Sequence, residues 1–171
     1  MKKILKSISV LMCAVFLSVT VQAFTVNAAS DQAAMDIHVN DEIGFTMYQI
    51  PQENSEINLF ADKYSTSDSY EGYFYYINSG DKISTHTFTA EFTYDNTLAT
   101  CTDTDATVKM VDDKSKLKAV AENKGENNLT ATQVFGYVTF VLYNPDDTVN
   151  AEVSIKIYCN QEGKTWVNRQ G

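Results

Sequence analysis

Two histidines and one close pair of carboxylates are the residues whose types suit metal binding. His38 and His86 lie in different segments, and neither has a cysteine or carboxylate partner at the spacing of a metal site. Asp103 and Asp105 form an Asp-x-Asp pair, but the glycine and the distal glutamate of a calcium loop are missing. An isolated acidic pair in a loop is normally only solvated. The sequence therefore predicts no metal ion and no cofactor.

The residues that could perform hydrolysis show no catalytic arrangement. The chain lacks a G-x-S-x-G nucleophile elbow, and its seven glycines are isolated, so no phosphate-binding loop is predicted. Ser84 and Thr85 lie close to His86 in sequence, but neighbours along a strand point to opposite faces. We interpret His86 as a polar surface residue of a half-exposed strand. The chain is predicted to be non-enzymatic, and a small hydrolase is an alternative that no set of residues favours.

The cysteines suggest a covalent link rather than a nucleophile. Cys13 lies within an N-terminal apolar run, which leaves Cys101 and Cys159 in the rest of the chain. In an oxidising compartment an even count predicts a disulfide, and two cysteines allow one pairing. Closing this long loop would stabilise the fold by roughly 4 kcal/mol. The alternative is two buried free thiols.

Aromatic residues are the clearest excess in the composition, with ten tyrosines and nine phenylalanines. The densest cluster comprises Tyr70, Tyr73, Phe74, Tyr75 and Tyr76. In an alternating strand Phe74 and Tyr76 share one face, whereas Tyr73 and Tyr75 share the other. If one face is core, the other presents rings and hydroxyls that suit a sugar or a protein partner. Our ligand-binding candidates are Tyr70, Tyr73 and Tyr75; alternatively, these rings only cover the second face of the sheet.

Two predicted strands near the C-terminus organise the elements that must position these residues. Val134–Tyr143 is apolar at both alternating positions, which indicates a strand covered on both faces. The segment 144–148, Asn-Pro-Asp-Asp-Thr, suits a type I turn. Glu152–Cys159 then alternates between polar and apolar residues, and Ser84–Tyr94 shows the same period of two.

Shorter strands are predicted between turn residues along the rest of the chain. They are Ile37–Val39, Ile43–Ile50, Ile57–Phe60, Glu71–Asn78, Leu98–Thr102, Thr107–Val111 and Thr165–Val167. Lys116–Asn123 is predicted to form a hairpin with Thr107–Val111, although Asp113 and Gly125 would also suit the ends of a helix. Tyr64–Tyr70 and Asp103–Ala106 are predicted to be polar connectors.

This spacing of short strands is typical of an all-β fold. We expect a single β-sandwich of about 8–10 short antiparallel strands. Its architecture is predicted to be immunoglobulin-like or jelly-roll-like. The likeness is architectural only, because Trp166 follows both cysteines and the Cys…Trp…Cys order of antibody domains is absent.

The N-terminus has the pattern of a secretory signal peptide. Lys2, Lys3 and Lys6 precede the apolar run Ile8–Val21, and the small residues of a cleavage site follow in Val26–Ala28. The run is shorter than the ~20 apolar residues of a membrane span. We predict that residues 1–29 form a cleavable signal peptide and residues 30–171 one secreted domain. The basic start and long signal favour a bacterial exporter, in particular a Gram-positive one.

The charge balance restricts the class of partner. The net charge is −9, and removal of the three signal lysines leaves 10 basic against 22 acidic residues, a charge of about −12. This charge argues against nucleic acid and against membrane insertion after signal cleavage, and it favours a monomer. We interpret it as a solvated acidic surface rather than an acidic site for a cationic partner.

Together these features predict a secreted, extracellular, non-enzymatic binding module. Its partner would be an extracellular glycan or a cell-surface protein, contacted through the tyrosines near residues 70–76. The alternative is a secreted effector, such as a toxin, a bacteriocin-like protein or an inhibitor.

Overall fold

The computed structural model describes residues 35–51, 63–127 and 130–170, all within one compact unit, Asp31–Gly171. The predicted signal peptide (residues 1–29) and the predicted strand Ile57–Phe60 lie outside the described residues.

The described residues form nine strands, which are β1 (Met35–His38), β2 (Ile43–Gln49), β3 (Tyr64–Tyr76), β4 (Lys82–Tyr94), β5 (Ala99–Met110), β6 (Lys118–Glu126), β7 (Gln133–Tyr143), β8 (Val149–Asn160) and β9 (Thr165–Gln170). The described ranges contain no helix, so the predicted all-β class is confirmed. It follows that they contain no helix long and apolar enough to cross a membrane.

The strands form two antiparallel sheets in which each strand pairs with its neighbours in sequence. The first sheet has the order β1-β2-β3-β4-β5 and the second has the order β6-β7-β8-β9. Each sheet is therefore a meander over the described residues. Immunoglobulin-like and jelly-roll sandwiches instead contain Greek-key connections. The strand order observed here therefore differs from the strand orders of the two architectures that the sequence suggested.

Alternating side chains explain how the strands bury one face. In β4, Phe88, Ala90 and Phe92 are fully buried, whereas Thr89 between them is partly exposed and Glu91 is exposed. Apolar residues of both sheets form a single core cluster. The burial of these rings and aliphatic groups is the main force that holds the two sheets together.

His86 lies at the centre of this core and not on the surface as predicted. It is only 1% exposed, and its ring contacts the rings of Phe45, Phe74 and Phe140 at centroid distances of 5.7, 5.0 and 4.5 Å. Ser84, two residues earlier, shares its inward face, and Ser84 Oγ lies 2.8 Å from His86 Nε2. This bond to Ser84 and the alternation of β4 place the imidazole among the inward side chains.

Both predicted connectors are strand residues. Tyr64–Tyr70 is the first half of β3, and Asp103–Ala106 lies within β5. The prediction of connectors was based on their serine, threonine and aspartate content and is wrong, because a sheet with one solvated face accepts polar side chains at every second position.

The segment around Lys116–Asn123 forms a strand, as predicted, and not the alternative helix. It does not form the predicted hairpin with Thr107–Val111. β5 pairs with β4 in the first sheet, and β6 pairs with β7 in the second. The chain between β5 and β6 therefore crosses from one sheet to the other.

The predicted disulfide is not present: Cys101 and Cys159 are both buried free thiols. Cys101 Sγ donates to the carbonyl oxygen of Asp103 at 3.8 Å, and Cys159 Sγ donates to that of Asn160 at 3.3 Å. Burial raises the pKa of each thiol to about 12, so both remain protonated at neutral pH. The alternative of two buried thiols, left open by the sequence, is the arrangement that the structure shows.

Candidate functional site

Three tyrosines project from the outer face of the first sheet, on the side opposite the core. Tyr48 follows the buried part of β2 and is itself half-buried, and Tyr73 and Tyr75 lie on β3. Phe74, between the latter two, is fully buried, so the predicted division of this cluster into two faces is confirmed. We call the outer surface formed by Tyr48, Tyr73 and Tyr75 the tyrosine face.

Tyr70 does not belong to the tyrosine face. It is 3% exposed, and its hydroxyl donates to Asp68 Oδ2 at 3.1 Å within the interior. Gln49 Nε2 donates to the other carboxylate oxygen of Asp68 at 3.0 Å. Burial and the adjacent carboxylate raise the pKa of Tyr70. Its hydroxyl therefore satisfies a buried acid and is not available to a ligand.

The rings of the tyrosine face pack against one another. The Tyr48 and Tyr73 centroids are 6.4 Å apart at an interplanar angle of 32°, and their hydroxyl oxygens are 3.5 Å apart. The Tyr73 and Tyr75 centroids are 6.0 Å apart at 66°. The Tyr75 hydroxyl donates to Asp36 Oδ1 at 3.1 Å, which connects β3 to β1 across the intervening strand β2.

The phenol groups of Tyr73 and Tyr75 remain protonated at neutral pH. The hydrogen bond with Tyr48, followed by burial, raises the pKa of Tyr73 to about 12. Burial and then the hydrogen bond to Asp36 raise the pKa of Tyr75. Both residues therefore present neutral rings beside a carboxylate.

A glycine shapes the floor of the face. Gly44 pairs with Tyr75 across β2 and β3, and a Cβ atom at Gly44 would overlap the Tyr75 ring. The ring lies over the backbone of β2 because residue 44 has no side chain.

Two neighbouring depressions open on the tyrosine face. The threonine-side depression has a volume of about 300 Å³ and is lined by Tyr48, Glu71, Gly72, Tyr73, Lys82, Thr85, His86 and Thr87. The aspartate-side depression has a volume of about 180 Å³ and is lined by Asp36, Thr46, Tyr48, Tyr73, Tyr75 and Gly80. Tyr48 and Tyr73 line both depressions.

A lysine ammonium already rests on one of these rings. Lys82 Nζ lies 4.0 Å from the centroid of Tyr73. The negative face of an aromatic ring attracts a cation at this distance. The Tyr73 ring thus has the orientation and access that an ammonium group needs.

The second sheet carries its own aromatic row, which sequence analysis missed. Phe135, Tyr158 and Trp166 are paired across β7, β8 and β9, with centroids 5.3 Å and 5.5 Å apart. The Tyr158 and Trp166 planes are only 7° apart. Lys156 Nζ lies 4.2 Å from the Phe135 centroid. We call this the aromatic row; because its rings pack against one another, it resembles the cross-strand pairs that stabilise sheets.

The other residues considered for chemistry are not brought together. His86 and Ser84 are hydrogen-bonded, but both are buried, and His86 Nδ1 has no hydrogen-bond partner among the described residues. Asp105 forms an exposed ion pair with Lys124 at 3.3 Å. The described part of the chain contains no group of three or more His, Cys, Asp or Glu side chains that could hold a metal ion.

Tyr48, Asp36 and Lys82 belong to the site, and none of them was a sequence candidate. The alternation in Ile43–Ile50 assigns Tyr48 to the polar face, which was the available signal. Its proximity to Tyr73 depends on the register Thr46↔Tyr73 between β2 and β3, which the sequence does not specify.

Comparison of the chain with protein-family profiles, with curated proteins and with solved structures finds no match.

Proposed function

We propose that the chain is an exported, non-enzymatic binding module and that the tyrosine face is its contact surface. The observation that carries this proposal is the position of Tyr48, Tyr73 and Tyr75 on the outer face of the first sheet, around two depressions.

The chemistry of the face supports contact with an extracellular glycan or a cell-surface protein. Tyrosine rings supply contact area at a low cost in side-chain entropy, and their hydroxyls both donate and accept hydrogen bonds. Glu71, Lys82, Thr85 and Thr87 add charged and hydroxyl groups beside the rings. Apolar rings next to a few polar groups are typical of ligand sites.

The proposal is tested by replacing Tyr73 and Tyr75 with alanine together. We expect binding to a glycan array, or capture of a cell-surface protein, to fall at least ~10-fold, because aromatic anchors dominate binding energy. Tyr143→Ala is the matched control, because Tyr143 is a half-buried tyrosine of β7 whose hydroxyl donates to Glu122 at 2.9 Å, away from this face.

Circular dichroism and the fluorescence of the single tryptophan verify that each variant is folded. Unchanged binding by the folded double variant would contradict the proposal, as would a wild-type protein that binds neither class of partner.

A further inference from the structure

We propose that the aspartate-side depression binds a quaternary ammonium group. This inference rests on the tyrosine face being the contact surface, and it names the chemical group that the surface recognises.

Three tyrosines line this depression together with Asp36, Thr46 and Gly80. Tyr73 stands between Tyr48 and Tyr75, at 32° to the first ring and 66° to the second. A cation seated in the depression beside these rings is attracted by the negative face of the ring that it contacts. Aromatic cages of this kind are the usual protein site for quaternary ammonium ligands.

A carboxylate completes the cage. Asp36 lines the depression, and one of its oxygens accepts the hydrogen bond from the Tyr75 hydroxyl at 3.1 Å. This bond holds the carboxylate at the rim. Burial and this bond also raise the pKa of Tyr75, so the neighbouring phenol stays neutral. The lining of the depression therefore combines aromatic rings with one carboxylate, which attracts a cation.

The size and overall charge of the molecule agree with a small cation. A depression of about 180 Å³ has room for a compact head group. The net charge of −9 attracts cations to the surface by long-range electrostatics. The acidic composition, interpreted from sequence as a solvated surface only, thus supports recognition of a cation at this site.

Lys82 provides an internal example and a means of testing the electrostatics. Its ammonium lies 4.0 Å from the Tyr73 centroid, in the lining of the neighbouring threonine-side depression. The ring therefore already accepts a cation. A second cation in the aspartate-side depression is repelled by Lys82, so removal of that charge strengthens its binding.

The experiment is calorimetric titration of the wild-type protein with tetramethylammonium, choline, phosphocholine and N-trimethyl-lysine. The neutral control is 3,3-dimethylbutanol, which has the shape of choline with carbon in place of the charged nitrogen. We expect binding of the cations, with a dissociation constant of roughly 1 mM, and at least ~10-fold weaker binding of the neutral isostere. Comparison of choline, phosphocholine and N-trimethyl-lysine distinguishes a free head group from a modified side chain as the source.

Variants distinguish the contribution of an aromatic ring face to cation binding from that of hydrophobic contact area. Tyr73→Leu is expected to weaken choline binding about 10-fold, whereas Tyr73→Phe keeps the ring and stays within about twofold of wild type. Asp36→Asn is expected to weaken binding about threefold, and Lys82→Gln to strengthen it about twofold, with both effects reduced at high salt. Tyr143→Leu is the control and leaves the affinity unchanged.

Equal affinity for choline and its neutral isostere would overturn the inference, as would unaltered binding by folded Tyr73→Leu or no binding of any cation. If the tyrosine face binds a glycan or protein while these cations fail, the inference falls and the proposed function stands. If the cations bind with the expected variant profile while no glycan or protein is captured, the cation site stands and the proposed function falls.

Discussion

At the scale of single residues, His86 is a polar side chain enclosed by aromatic rings. Phe45, Phe74 and Phe140 surround it from three different strands. Burial lowers the pKa of His86 to about 3, so the imidazole is neutral at physiological pH. An imidazolium there would be a charge in an apolar core, which is costly without a partner.

The first prediction concerns acid stability. The unfolded chain binds a proton at His86 near pH 6.5, whereas the folded chain does so only near pH 3. The free energy of unfolding should therefore decrease as the pH falls through this window, by up to ~1.4 kcal/mol per pH unit from His86. His86→Leu should remove this contribution, and urea unfolding at intervals between pH 7 and pH 3 measures the difference.

The wild type and His86→Leu have the same carboxylates. Subtracting their profiles of unfolding free energy against pH therefore isolates the contribution of the histidine. Ser84→Ala combined with His86→Leu avoids leaving the Ser84 hydroxyl without its partner. Parallel profiles for wild type and both variants would show that His86 does not titrate with the lowered pKa.

At the scale of elements, the aromatic row links β9 to the rest of the second sheet. Among the described residues β9 pairs only with β8, so it is an edge strand. Trp166 on β9 stacks against Tyr158 on β8 at a centroid distance of 5.5 Å. Cross-strand aromatic pairs of this kind typically contribute ~0.5–1.5 kcal/mol beyond area burial.

The second prediction follows from this pairing. Trp166→Ala should lower the free energy of unfolding by about 1–3 kcal/mol, because the stacking and part of the apolar burial of the edge strand are lost. Trp166→Phe keeps a ring and should lose less than half of that. Denaturant unfolding measures both values.

The same variants separate the two aromatic surfaces. Ligand binding by folded Trp166→Ala should equal that of the wild type, because the aromatic row lies on the other sheet from the tyrosine face. A Trp166→Ala variant with unchanged stability and lost binding would assign the contact surface to the second sheet instead.

At the scale of the whole molecule, the two sheets are held against each other by packing and not by a disulfide between Cys101 and Cys159. Their inner faces share one core, to which Phe45 and Phe88 of the first sheet and Phe140 and Ile155 of the second contribute. Gly136 of β7 allows a close approach, since a Cβ atom there would lie 2.5 Å from Thr104 Cγ2 on β5. Cys101 and Cys159 lie in the same core as free thiols.

The third prediction tests this arrangement. Dithiothreitol should leave the melting temperature unchanged, because no disulfide is present to be reduced. Iodoacetamide should modify neither thiol in the native protein and both after unfolding, since burial raises their pKa to about 12. Mass spectrometry counts the adducts. Two results together would show that the cysteines are bridged. Dithiothreitol would lower the melting temperature, and iodoacetamide would modify neither cysteine after unfolding without dithiothreitol.

The sequence by itself determined the all-β class and the assignment of Phe74 and of Tyr73 and Tyr75 to opposite faces. Both follow from the period of two, which is a local property of a strand. The same alternation placed Phe88 and Phe92 on one side of β4. The polar composition of Tyr64–Tyr70 led to the wrong prediction of a connector, because polar residues on the solvated face of a strand resemble those of a loop.

Only the tertiary structure decided the positions that depend on pairing and packing between distant segments. Register brings Tyr48 and Asp36 to the Tyr73–Tyr75 pair, and the packing of two sheets makes His86 a core residue. The sequence count of cysteines could not distinguish a bridge from two thiols, because bonding requires a specific distance and orientation of the sulfur atoms. Local alternation specifies which face a residue takes, but only long-range contacts specify its neighbours.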